Sequence, residues 1–138
     1  MKFEYSHDHK PPALMVKIEV ADEDRNRKVE LDAKVDTGAG VSLLPESSKD
    51  ALELTKIYKP LRPLRVHGAF DDDKEPRDQY YIQVRLPWRG DTWVSVRVAL
   101  FKRPYFLLGR DLLNDDVLHA YGPQGVFEIE SGTKPAGT

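Results

Sequence analysis

Apolar residues recur at every second position in two neighbouring stretches, and this period of two limits the fold more than any other feature. The apolar residues that share a face are Leu14, Val16, Ile18 and Val20 in the first stretch and Val29, Leu31, Ala33 and Val35 in the second. Successive side chains of a β-strand point to opposite faces, so each stretch predicts a half-buried strand. The polar residues 21–27 between them predict the turn of a hairpin.

Short apolar or alternating stretches continue along most of the chain. They predict further strands over 41–44, 61–70, 79–86, 92–100, 105–108, 117–121 and 126–129, with one or two helical turns within 45–54. Many short strands with little helix favour an all-β fold, specifically a small closed β-barrel. The expected boundaries are an N-terminal arm over 1–12, one domain over 13–130 and a flexible tail over 131–138.

Composition limits the possible partners and location. The 138 residues suffice for one domain with a core, and a formal net charge of −2 gives no overall attraction for nucleic acid or an anionic membrane. The absence of cysteine excludes disulfides, thiol catalysis and cysteine-ligated zinc. No apolar stretch approaches the roughly 20 residues that span a bilayer, and the N-terminus lacks the apolar segment of a signal peptide. These features predict a cytoplasmic protein that binds neither nucleic acid nor membrane.

A single Asp-Thr-Gly-Ala sequence begins at Asp36, directly after the second alternating stretch. The carboxylate is therefore expected at a strand end on a tight turn, where Gly38 permits a positive φ and Ala39 leaves space above it. Because Asp, Thr and Gly are common turn residues, the tetrapeptide alone is also compatible with an ordinary strand-to-turn junction. A second signal follows at 106–113, where an apolar run leads into Gly-Arg-Asp.

Together, VDTGAGVSLL (35–44) and FLLGRDLL (106–113) resemble the paired signatures of the retropepsin-like aspartic peptidases, the single-domain relatives of retroviral proteases. The resemblance covers about residues 12–130. It implies a small β-barrel with a flap hairpin, one short helix after Gly-Arg-Asp, and an active site shared by the two subunits of a homodimer, without a cofactor or metal.

The resemblance also assigns roles to matching residues. Asp36 matches the catalytic acid, Thr37 the residue whose hydroxyl crosses the dimer axis, and Gly38 the position whose carbonyl meets the substrate backbone. The expected substrate contacts are Val35, Ala39, Gly40, Leu43, Gly68, Ala69 and Phe70. The residues expected to support the site from below are Leu108, Gly109, Arg110 and Asp111, with Arg110 in a structural ion pair and Asp111 as a helix N-cap.

Two features depart from the family pattern. Gly40 stands where the family more often has Ser, Asn or Asp, which weakens the expected hold on substrate. The predicted flap, residues 67–77, has one glycine and a dense acidic run, whereas retroviral flaps are rich in glycine. This difference predicts either slower opening of the flap or a tip at residues 68–70.

Hydrolysis of a peptide bond without a metal or a nucleophile needs two carboxylates, because one activates water while the other supplies a proton. The chain has no second Asp-Thr-Gly and no Asp-Ser-Gly. A twofold axis beside Asp36 would provide the second acid from an identical subunit. The predicted function is therefore a homodimeric aspartic endopeptidase that cuts extended polypeptide.

Other interpretations carry less support. A catalytically inactive module of the same fold, which dimerises or binds peptides, remains open, since Gly40 and the charged flap could mark lost turnover. A glycosidase would need a second placed acid. His7 and His9 lack a third ligand for a metal, and the glycine patterns of nucleotide-binding loops are absent.

Overall fold

The structure, a computed structural model, describes residues 1–10, 12–55 and 78–132. Within these ranges it contains nine β-strands and two short α-helices, joined by turns that include two single-turn 3₁₀ helices, Pro87–Arg89 and Gly122–Gln124. The bounds are β1 Lys2–Glu4, β2 Met15–Asp22, β3 Lys28–Val35, β4 Leu43–Pro45, α1 Ser47–Ala51, β5 Gln79–Arg85, β6 Trp93–Phe101, β7 Phe106–Leu108, α2 Arg110–Leu113, β8 Asp116–Tyr121 and β9 Val126–Ser131.

Six of these strands form a closed barrel in the order β2-β3-β7-β4-β6-β5, and β5 pairs with β2 to close it. Strands β2 and β3 form the predicted hairpin, in which Met15 lies opposite Lys34 and Ala21 opposite Lys28. The prediction of a small closed all-β barrel is confirmed. Because a barrel has no free edges, these strands give a rigid frame for the loops at its ends.

The alternating apolar faces fill the barrel, as the period of two predicts. Their buried members include Val16, Ile18, Val20, Ala33, Ile82, Val84, Val98, Phe106 and Leu108. Burying one large aliphatic or aromatic side chain contributes about 1.5–3 kcal/mol. The polar partners on the same strands face outward, so a register shift by one residue would expose this whole set.

The remaining strands form a three-stranded sheet in the order β1-β9-β8. Its inner face joins the barrel core through Phe127 and Ile129, both fully buried, and Phe3 stacks on Phe127 with ring centroids 5.2 Å apart. The stretch 1–12, predicted as an arm, thus includes a strand that packs on the domain through β9. Its short length and polar sequence gave no periodic signal for this pairing.

A salt bridge reinforces the closure of the barrel. Glu19 on β2 lies opposite Arg85 on β5, and the guanidinium donates to the carboxylate. This hydrogen bond lowers the pKa of Glu19 below its usual value. Both side chains are about one-third exposed, so solvent screens much of the attraction.

Two predicted elements need comment. The helical turns predicted within 45–54 are present as α1, but Pro45 ends β4 because the preceding apolar residues pair with β6 and β7. The strand predicted over 61–70 and the flap over 67–77 lie outside the described residues. In the described ranges, no helix has both the length and the apolar character needed to cross a membrane.

A buried ion pair joins the turn after β5 to the start of β8. The side chain of Asp116 is 1% exposed and accepts hydrogen bonds from Trp88 Nε1 at 2.9 Å and from Arg89 Nε at 3.0 Å and Nη2 at 2.9 Å. Arg89 Nη2 also donates to the carbonyl of Leu112 at 2.7 Å. The cluster therefore ties three separate segments together.

Replacing Asp116 with Ala should lower the free energy of unfolding by about 3–5 kcal/mol, because Arg89 would keep a mostly buried charge without its partner. The matched control is Asp32→Ala, which removes an exposed pair with Lys17 and should cost about 1 kcal/mol or less. Urea titration of both variants measures the difference. Equal losses would contradict the role given to the buried pair.

Candidate active site

Asp36 lies where two parallel strands end side by side. Strands β3 and β7 pair in parallel, with Val35 opposite Leu108, and the backbone N–H of Asp36 donates to the carbonyl of Leu108 at 3.0 Å. The half-buried carboxylate thus emerges at the end of the barrel, as the sequence predicted.

The turn that follows holds this carboxylate with its own backbone. Gly38 N–H donates to Asp36 Oδ1 at 2.9 Å, and Ala39 N–H donates to the Asp36 carbonyl at 3.2 Å. A Cβ atom on Gly38 would stand 3.2 Å from Asp36 Oδ1. Gly38 does not adopt the positive φ that glycine permits, since the described glycines with positive φ are Gly90 and Gly125. Glycine instead leaves room beside the carboxylate oxygen.

Residues 36–42, here called the Asp36 loop, connect β3 to β4, and β7 lies between those two strands in the barrel. The loop therefore crosses the chain where β7 leads into α2. Arg110 N–H donates to the Ala39 carbonyl at 2.8 Å. A Cβ atom on Gly109 would lie only 2.5 Å from the Val41 carbonyl oxygen, so this crossing requires glycine.

Ser42 and Asp111 hold the Asp36 loop against the start of α2. Ser42 is fully buried, its hydroxyl donates to Asp111 Oδ1 at 2.6 Å, and its backbone N–H donates to Asp111 Oδ2 at 2.9 Å. The hydroxyl also accepts a hydrogen bond from Gly109 N–H at 2.9 Å. The prediction that Asp111 caps α2 is wrong, because Gly109 is the N-cap residue and Asp111 binds the loop instead.

Sequence reasoning missed Ser42. The available signal is its position between apolar neighbours in a predicted strand, where a buried hydroxyl must find a hydrogen-bond partner. The acid that satisfies it lies 69 residues further along the chain. Only the fold brings the two together.

The predicted ion pair of Arg110 is not found among the described residues of the single chain. Its side chain is exposed, and Nη2 lies 3.5 Å from the point where a Cβ on Gly40 would stand. Leu108, by contrast, is fully buried, and its carbonyl accepts the hydrogen bond from Asp36 N–H.

The predicted substrate contacts differ in exposure. Thr37, Gly38 and Gly40 are exposed, and Ala39 is half-buried. Val35 is 8% exposed, whereas Leu43 is 0% exposed, which is at odds with a direct contact to substrate. Gly68, Ala69 and Phe70 lie outside the described residues.

Leu43 belongs to a second apolar cluster, separate from the barrel core, called here the floor cluster. Its buried members are Leu43, Ala99, Phe101 and Leu107, and Ala39, Val41 and Tyr105 pack against it. Two polar groups without a hydrogen-bond partner among the described residues lie next to it. The buried amide of Gln79 lies opposite Ala99 on the paired strand, and the ring of His9, with Nδ1 buried, packs edge-on against Tyr105.

The described contact of the His9 ring is thus aromatic, with Tyr105. No group of three or more His, Asp or Glu side chains is placed to hold a metal ion in the part of the chain that the structure describes. The described site thus consists of the Asp36 carboxylate, the Asp36 loop, the start of α2 that holds this loop, and the floor cluster.

No family model matches the sequence, and no curated protein sequence matches it either. Solved structures do match the fold. A retropepsin-like aspartic protease from Rickettsia conorii aligns over 94% of this chain and 87% of its own, with a TM-score of 0.58 and 14% identity. The EIAV protease complexed with the inhibitor HBY-793 aligns over 82% of this chain and 93% of its own, with a TM-score of 0.55 and 17% identity.

The chain has the retropepsin fold. At 14–17% identity the similarity extends to the fold alone. Any role of Asp36 therefore has to be argued from the contacts of Asp36 in this chain. The predicted barrel and the predicted retropepsin resemblance are both confirmed at this level.

Gly109→Ala should lower the free energy of unfolding by about 1–3 kcal/mol, because the added methyl group overlaps the Val41 carbonyl and the loop must move. Gly40→Ala is the matched control, since its methyl group meets only the end of a flexible Arg side chain at 3.5 Å. The control should change stability by about 0.5 kcal/mol or less. Thermal and urea unfolding of both variants test the contrast, which fails if Gly109→Ala is as stable as Gly40→Ala.

Proposed function

We propose that this protein is an aspartic endopeptidase that works as a homodimer and uses Asp36 from each subunit. The observation that supports it most is the placement of Asp36 at the ends of β3 and β7 within a retropepsin fold. A carboxylate there is half-exposed, oriented by Gly38 N–H and supported by a rigid barrel. These are the requirements for a general acid–base group that must hold its position.

The chemistry needs one shared proton between two carboxylates. The ionised Asp36 takes a proton from a water molecule whose oxygen attacks the peptide carbonyl, while the protonated Asp36 of the other subunit gives its proton to the carbonyl oxygen. As the tetrahedral intermediate collapses and the C–N bond breaks, the Asp36 that took the proton from water gives it to the leaving amine. The other Asp36 takes back a proton from a hydroxyl of the intermediate, which restores the starting state. Two carboxylates about 3 Å apart hold one proton readily, because ionising both is unfavourable.

The second acid is proposed to come from a partner subunit, since two other acids of this chain, Asp111 and Asp116, already have their carboxylates bound by donors of the same chain. Both carboxylate oxygens of Asp111 accept hydrogen bonds from Ser42, and both of Asp116 accept them from Trp88 and Arg89. Thr37 and Gly38 are exposed in the single chain, which leaves the surface beside Asp36 open to a symmetric contact. The proposed role of Thr37 is to stabilise that contact across the axis.

The proposed substrate is a polypeptide in extended form. A strand-like peptide forms backbone hydrogen bonds and places alternate side chains in pockets. The floor cluster lies beside the Asp36 loop and provides an apolar surface through Val41 and Tyr105, which are both partly exposed. Val35, Ala39, Gly40 and the flap residues 68–70 remain the proposed contacts, with Leu43 supporting them from beneath.

Asp36→Asn should reduce peptide cleavage by about 10²–10⁴-fold, because the amide cannot act as a general base. Asp32→Asn is the matched control: it lies on the same strand, is exposed, and should leave cleavage unchanged. Mass-spectrometric mapping of cut sites in a mixed peptide library at pH ~4–7 gives the readout for both variants. Full activity of Asp36→Asn would remove this residue from the mechanism, and peptide binding without products would point to an inactive module.

Mixing the wild type with excess Asp36→Asn should inhibit it if two subunits share the site. With a tenfold excess and free exchange of subunits, most wild-type chains lie in heterodimers, and activity per wild-type chain falls to about one-tenth. Dilution of the wild type alone should likewise lower its specific activity. An active monomer would show neither effect, because the inactive variant would then be an inert addition.

A further inference from the structure

The guanidinium of Arg110 is the one charged group that the fold attaches directly to the Asp36 loop without giving it a described partner. Arg110 begins α2, and its backbone N–H is bound to the Ala39 carbonyl at 2.8 Å. The side chain is exposed, and Nη2 lies 3.5 Å from the Cβ position of Gly40. The charge is therefore placed over the part of the loop that lacks a side chain.

The acids close to it are already engaged. Asp111, the next residue, binds Ser42 with both oxygens, and Asp36 is held by Gly38 N–H. Arg110 forms no ion pair within the described ranges, although a guanidinium offers five N–H donors in a planar fork that suits a carboxylate. Gly40 keeps the space in front of this fork open.

We propose that Arg110 binds an acidic side chain of the substrate and makes the enzyme select Asp or Glu at one position near the cleaved bond. This inference rests on the proposed function, because a peptide that reaches Asp36 must lie over the same loop. Residues 36–40 can span at most about 14 Å, and an extended peptide advances about 3.3 Å per residue. The selected acid therefore lies within about four residues of the bond that is cut.

The size of the preference follows from the exposure of the site. Exposed ion pairs are weak and are screened by salt, so replacing Glu with Gln at the selected position should lower kcat/KM by roughly fivefold at low ionic strength. The ratio should shrink as salt is raised, because the Debye length falls to about 3 Å at 1 M. A preference carried by shape alone would be insensitive to salt.

The test compares cleavage profiles of a mixed peptide library for the wild type, Arg110→Glu, Arg110→Lys and Gly40→Asp. The wild type should enrich Asp and Glu at one position, and Arg110→Lys should retain part of that preference. Arg110→Glu should replace it with Lys and Arg, and Gly40→Asp should abolish it by pairing internally with Arg110. Paired Glu and Gln peptides then give the kcat/KM ratio within each variant, so any general loss of activity cancels.

A wild-type profile without acidic enrichment, or one that Arg110→Glu leaves unchanged, overturns the inference while the proposed function stands. The inference is also overturned if Arg110→Glu changes only the dimer dissociation constant measured by analytical ultracentrifugation. The guanidinium would then contact the partner subunit and not the substrate. If the wild type cuts nothing, the proposed function fails, and binding of the same Glu and Gln peptides to the wild type decides the inference. Tighter binding of the Glu peptide supports recognition by Arg110, and equal binding overturns it.

Discussion

The contact on which the arrangement of this site depends is the hydrogen bonding among Ser42, Asp111 and Gly109. One serine satisfies both oxygens of a carboxylate and the N–H of a glycine, all in a buried or partly buried setting. Hydrogen bonds to a charged group contribute about 1.5–3 kcal/mol each, and a buried group left without its partner costs about as much. Neither the loop nor the start of α2 can move away without losing these bonds.

This lock determines where Asp36 lies. The loop is held at its far end by Ser42, in its middle by the bond from Arg110 N–H to Ala39, and at its near end by the bond from Asp36 N–H to Leu108. All three anchors belong to residues 108–111, which follow directly from the barrel strand β7. The proposed catalytic role of Asp36 would require its carboxylate to be held within about 0.5 Å, and three anchors on a closed barrel restrict the loop in that direction.

The parts of the structure that the sequence predicted are those with local signals. Alternation in β2 and β3 identified both strands and their buried faces, because the pleat makes side-chain direction a local property. The position of Asp36 followed from the strand that precedes it. The role of Asp111 and the burial of Leu43 did not follow, because they depend on pairing between segments far apart in sequence. The pairing of β1 with β9 has the same cause, since a three-residue strand with a single apolar residue, Phe3, is too short to show a periodic pattern.

Asp36, Asp111 and Asp116 show how one residue type acquires different roles from its hydrogen bonds. Asp111 and Asp116 have both oxygens bound by donors of this chain, so each carboxylate connects segments of the fold. Asp36 accepts one bond, from Gly38 N–H to Oδ1, and its Oδ2 has no partner among the described residues. A carboxylate oxygen that no donor of the fold occupies can take up or release a proton without first breaking a hydrogen bond of the fold. The residue that the motif singled out is also the acid of the three that has such an oxygen among the described contacts.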